Sequence, residues 1–160
     1  MGLNDFKYAW RFTDINYAVF SERELSEIRN IPAEKANKIW DSVCDHSIFQ
    51  RCSFIQKIVS RSMPTFVGDC GWGDDNKEAH TRKMLEALFT KGKADSLMAL
   101  YDCRTAIEIS SNLFINRWSD FCYPTDSLVL IFGHQCLLYY EDTLYILALE
   151  ETLSCCTSPQ

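Results

Sequence analysis

The stretch that decides the fold runs from Leu97 to Leu149 and reads LMALYDCRTAIEISSNLFINRWSDFCYPTDSLVLIFGHQCLLYYEDTLYILAL. Leu97 to Tyr101 and Thr105 to Ile109 are short apolar runs rich in strand formers. Asp102-Cys103-Arg104 parts them, an interruption of hairpin length. Leu128 to Phe132, Cys136 to Tyr140 and Leu144 to Leu149 are divided by Gly133-His134-Gln135 and by Glu141-Asp142-Thr143. Both breaks carry turn chemistry, since glycine tolerates positive φ and aspartate bonds its neighbouring backbone. A hairpin followed by a three-stranded antiparallel meander is the economical reading.

Strand side chains alternate between faces. In the hairpin's second strand Ala106 and Glu108 share one face and Thr105, Ile107 and Ile109 the other, so one face is expected to meet water. The last strand does not alternate in that way. Leu144, Ile146 and Ala148 are apolar, and so are Tyr145, Leu147 and Leu149 between them. A half-solvated antiparallel sheet reads apolar-in and polar-out. The meander is therefore expected to be covered on both sides, by helices from the first half of the chain or by a second copy in a homodimer.

Between the two strand groups Ser110 and Ser111 offer N-caps for a helix from about Asn112 to Cys122, closed by Pro124. Phe114, Trp118 and Phe121 fall at i, i+4 and i+7, one stripe on that helix. Burying such a stripe contributes roughly 2 kcal/mol for each large side chain removed from water.

The run IEISSNLFINRWSDFCYPTDS, followed by LVLIF, CLLYY and LYIL, resembles the carboxy-terminal half of small uncharacterised bacterial proteins of unknown function, of the kind carried as mobile, integron-type gene cassettes. IPAEKANKIWD, at Ile31 to Asp41, is similar to the amino-terminal helix of that group. Together these stretches cover under half of the chain. The resemblance implies an α+β fold and a bacterial cytoplasmic setting, and it supplies no catalytic residue.

Outward from that core, 160 residues make a single domain. A mainly helical half over 1–93 is expected to follow an amino-terminal strand, with a sheet half over 94–151 and a mobile tail over 152–160. The fold class is α+β: an antiparallel sheet of about five strands packed with helices from the amino-terminal half. FKYAWRF, from Phe6 to Phe12, places four aromatics at period two and reads as the extra strand. Ser21-x-x-Glu24 has the form of a capping box opening a helix to about Arg29. Pro32 starts the next helix, to about Asp45, with Ala36, Ile39, Trp40 and Val43 as its apolar stripe. Helical spacing continues from Ser47 to Arg61. Ser62 to Asp75 reads as a loop, and Asn76 opens a helix to about Thr90.

A formal net charge of −6 argues against nucleic-acid binding, which needs a field of Lys and Arg. Lys77, Arg82, Lys83, Lys91 and Lys93 read as a solvated helix face. An acidic chain suits a basic protein partner instead. No run approaches the eighteen or so apolar residues of a membrane span, and the amino terminus lacks a signal-peptide pattern. The cytoplasm is the expected location. Eight cysteines contain no CxxC pair, and neither metal nor cofactor is expected. Cys103, Cys122 and Cys136 read as small buried hydrophobes.

Chemistry is best placed in the loop Gly68-Asp69-Cys70-Gly71-Trp72-Gly73-Asp74-Asp75, where glycines free Trp72 to project, although a tight loop with Trp72 folded back onto the core is the preferred reading. Asp69, Asp74 and Asp75 beside it repel phosphate and suit a basic partner, and Trp118 and Tyr123 complete the candidate binding set. Cys70 with His80, and Cys136 with His134, are the pairs to weigh as nucleophile and base. No GxSxG, HExxH, P-loop or Rossmann glycine pattern is present. The leading expectation is a non-enzymatic interaction protein, of the immunity or adaptor kind, that binds another protein or itself. The alternative is a small-molecule binder or modest enzyme, with Trp10, Trp40, Trp118, Tyr123 and Tyr139 lining a pocket between sheet and helices.

Overall fold

The computed structural model describes residues 3–43 and 65–147. It is an α+β protein built on one antiparallel sheet of seven strands, two more than expected. The strands are β1 (Ile28–Ile31), β2 (Thr65–Asp69), β3 (Ser96–Leu100), β4 (Ala106–Ser110), β5 (Ser127–Phe132), β6 (Gln135–Tyr140) and β7 (Thr143–Leu147), in the order β1-β4-β3-β5-β6-β7-β2. The hairpin and meander take the expected register: Ala99 faces Ile107 across β3 and β4, and Leu130 faces Leu137 across β5 and β6. Glu141 and Asp142, both at positive φ, close the last hairpin.

The two additional strands are the sheet's edges, and both come from the first half of the chain. β1 holds only four residues, two of them polar, and Pro32 follows it at once. It shortens the capping-box helix, α2 (Glu22–Ser26), which was expected to reach Arg29. Thr65-Phe66-Val67 lies inside the expected loop, yet it pairs with β7 across a bulge at Phe66 and Gly68. Glycine and aspartate dominated the composition there and hid three good strand formers.

The expected strand at Phe6 to Phe12 is instead turns and a short helix, α1 (Trp10–Thr13). Phe6 N–H donates to Leu3 O at 2.9 Å and Ala9 N–H to Phe6 O at 3.0 Å, so the backbone bonds locally. Phe6 and Phe12 are both buried and stack with ring centres 6.1 Å apart. Six residues of separation is a multiple of two and also of three. The spacing of the buried pair therefore fits a strand and a tight helical coil equally. Trp10, which tells the two apart, points outward.

α3 (Ala33–Val43) and α4 (Asp75–Gly92) form where the periodicity places them. The expected helix over 47–61 lies outside the described residues, as does Leu149. The single helix expected from Asn112 to Cys122 is two, α5 (Ser111–Asn116) and α6 (Trp118–Phe121), broken at Arg117 with φ −123° and ψ 23°. Ser110 is the N-cap, accepting from Leu113 N–H at 3.2 Å. The break sends Arg117 out to Glu24 and Asp120, while Phe114, Trp118 and Phe121 stay buried.

Both faces of the sheet carry a core. On one, Leu97, Ile107, Leu128, Leu130, Leu137, Tyr139 and Leu144 cluster with α4, α5, α6 and the phenylalanines Phe6, Phe12 and Phe20. On the other, Leu100, Ala106, Val129, Ile131, Leu138 and Leu147 cluster with Ala36 and Trp40 of α3. The covering expected for the meander is thus present, and a helix from the first half supplies part of it on the second face. Ala106 is fully buried there, so the β4 face expected to meet water does so only around half-buried Glu108.

Candidate functional site

The glycine loop is built from both ends inward. At its far end Asp74 caps α4, its carboxylate accepting from Asn76 and Lys77 N–H at 3.1 Å. At its near end Thr81 donates to Cys70 O at 2.9 Å. Between them Gly71 and Gly73 sit at φ +68° and +80°, the left-handed region that a side chain strains. Asp142, in the β6–β7 turn, holds this bend: its carboxylate accepts from Gly71 N–H at 3.0 Å, Trp72 N–H at 3.1 Å and the Tyr139 hydroxyl at 3.3 Å. Trp72 is thereby carried across to α6. Its indole N–H donates to Ser119 O at 2.8 Å, and its ring lies 5.6 Å from that of Tyr123.

Tyr123 leads to an ion pair that the sequence did not announce. Arg11 and Asp126, 115 residues apart, form a two-pronged guanidinium–carboxylate pair, with Nη2 donating to Oδ1 at 2.9 Å. Arg11 is only 7% exposed. Rings enclose it, Tyr123 at 4.6 Å, Tyr8 at 4.7 Å, Trp10 at 5.4 Å and Tyr101 at 5.7 Å from the guanidinium carbon. Burial works against this charge, but hydrogen bonding and attraction from Asp126 outweigh it and hold the guanidinium above its ordinary pKa. Asp126 also accepts from Tyr123 N–H at 3.0 Å, which fixes the ring over the pair.

Outside this box lies an apolar surface. Trp10 is 40% exposed and Tyr17 55%, their rings 4.5 Å apart; Ile15, Val19 and Trp72 are exposed as well. Burial foremost pushes the Tyr123 hydroxyl up against the lowering pull of Arg11, with Asp120, Asp126 and Tyr17 adding to the rise.

Residues 1–147 match the model of a family described as a protein of unknown function, DUF2947. The chain belongs to this family. No curated protein and no solved structure matches it.

In this DUF2947 protein the structure brings together two of the candidate binding residues, Trp72 and Tyr123. Asp75 is exposed at the first turn of α4 and Asp74 is engaged as its cap. Asp69 accepts from the Thr143 hydroxyl at 3.3 Å. Trp118 is in the core, its indole N–H donating to Glu78 O at 3.3 Å. Among the described residues the rings expected to line one pocket are not brought together, because Trp118 and Tyr139 lie on one face of the sheet and Trp40 on the other. Two clefts of ≈ 420 and ≈ 340 Å³ flank β1 instead, lined by charged residues such as Arg29, Lys35 and Glu108 in one and Lys7 and Arg104 in the other.

The pairs weighed as nucleophile and base are not assembled. Cys70 is fully buried, its thiol pushed up to about 12 mainly by burial, while His80 stands exposed on α4. Cys136 is likewise buried, its thiol 3.9 Å from Leu137 O, and His134 is exposed in a turn. Among the described residues no three of His, Cys, Asp and Glu group as metal ligands, and no helix is long and apolar enough to cross a membrane. What sequence reasoning missed was Arg11, Asp126, Asp142 and Tyr17. Arg11 had one signal, an arginine set among aromatics in YAWRF.

Proposed function

We propose that the protein is a non-enzymatic interaction module, of the immunity or adaptor kind, that holds a protein partner on the face formed by Trp10, Tyr17, Trp72 and Tyr123. One observation carries this reading. Six large hydrophobics are exposed among the described residues, and five of them (Trp10, Ile15, Tyr17, Val19 and Trp72) belong to the 10–19 segment or to the Trp72 turn. Scattered apolar side chains are ordinary on a monomer, whereas a concentrated patch on hydrogen-bonded supports fits a contact surface. Asp142 and the Arg11–Asp126 pair are those supports.

The resemblance of residues 31–41 and of the run from Ile107 through the closing meander supports a bacterial cytoplasmic setting, among proteins carried by mobile gene cassettes, as part of the same proposal. A photo-crosslinking side chain at Val19, introduced in cells, tests the reading. A discrete protein adduct that disappears when Tyr17 and Trp72 are changed to Ala supports it. Adducts indifferent to both changes, together with a metabolite that raises the melting temperature saturably, overturn it in favour of a small-molecule site.

A further inference from the structure

Arg11 already shows what these rings accept. Trp10 and Tyr123 each lie against its guanidinium, within the distance at which a ring quadrupole attracts a cation. Asp126 neutralises that charge, so it does not repel a second cation approaching from outside. Trp10, Tyr17 and Trp72 retain exposed ring area beyond their internal contacts. Carboxylates accompany them. Asp14 stands in the turn between Trp10 and Tyr17, its carboxylate accepting from Asn16 N–H at 2.9 Å, and Asp74 and Asp75 follow Trp72 directly after Gly73. The whole chain carries −6, which draws positive partners from a distance.

We propose, building on the interaction-module reading, that the occupant of this face is an arginine-rich segment of a partner protein. Its guanidinium planes lie on Trp10, Tyr17 and Trp72, and its charge is matched by Asp14, Asp74 and Asp75. Arginine is the better fit than lysine, because the guanidinium is planar, weakly hydrated and stacks on rings, whereas an ammonium holds its water.

The test titrates the full-length protein with short labelled peptides of alternating Arg and Gly, and with the matching Lys, Asp and Pro peptides. The Arg peptide is expected to bind and to quench tryptophan emission, with the Lys peptide about fivefold weaker. Trp10→Ala and Trp72→Ala, each first shown to melt like the parent, are expected to weaken Arg-peptide binding about fivefold apiece. Equal affinity for Arg and Lys peptides, no binding, or binding untouched by either substitution overturns the inference. Preference for the Pro or Asp peptide, or a dimer by light scattering that Trp72→Ala dissolves, also overturns it while leaving the interaction module standing. The module itself falls only to the crosslinking result given above, adducts indifferent to the Tyr17 and Trp72 changes together with a saturable metabolite shift.

Discussion

The meander, β5 to β7, and the amino-terminal segment 3–20 are both rich in aromatic and aliphatic residues, yet they are held by different means. In the meander every strand pairs with its sequence neighbour through a two-residue turn, so backbone ladders and local order fix the shape. Segment 3–20 joins no ladder. Its backbone closes on itself in turns, and its place on the sheet depends on buried rings and on Arg11 reaching Asp126. Abundant apolar residues give burial in both; only the ladder also gives a readable pattern.

The sharpest way to break that contrast is Asp126→Ala. It strands a buried guanidinium and is expected to cost about 4 kcal/mol in urea denaturation. Hydrogen exchange should then rise first in 3–20 while β5–β7 stay protected. Equal loss of protection in both regions would show that the segment and the sheet unfold as one unit. Leu138→Ala, at a fully buried position in the meander, should cost about 3 kcal/mol and lower protection throughout.

Smaller effects refine the picture of the loop between them. Asp142→Ala leaves the Gly71 and Trp72 amides without their acceptor and is expected to cost about 2 kcal/mol by the same denaturation, with a shift in tryptophan emission. A Cβ at Gly71 would stand 2.9 Å from Lys77 Cγ as well as at positive φ, whereas one at Gly73 meets open space. Gly71→Ala should therefore cost clearly more than the roughly 1 kcal/mol expected of Gly73→Ala in paired melts.

The effect smallest at neutral pH, where the thiol is uncharged folded and unfolded alike, is that of Cys70. Burial raises the Cys70 thiol to about 12, so this group's contribution is whole below the unfolded thiol value of about 8.5 and is lost as pH rises toward 12. Stability should decline over that window, and less steeply in Cys70→Ala. A profile unchanged by the substitution would count against the buried thiol.

How much of this was legible follows the same divide. The hairpin, the meander, the Ser21–Glu24 box and the stripe of α3 could be read because each is written in residues close in sequence. β1 and β2 could not, since four or five residues become a strand only when a distant partner supplies the ladder. Trp72 and Tyr123 were legible as a pair of candidates, from glycine spacing and aromatic character. Tyr17 and Arg11 were not: one looks like any surface tyrosine and the other like a surface cation until Asp126 is brought to it from the far end of the chain.

The placing of β1 and β2 has a bearing on how the chain is made. Residues 96–147 form a contiguous five-strand block whose two outer rims, on β4 and on β7, would be adhesive if bare. The pieces that seal those rims lie upstream and leave the ribosome before the block does. Vectorial synthesis thus delivers the seals ahead of the surfaces they close, and a shortened chain starting at Ser96 should clump where the 160-residue chain stays dispersed.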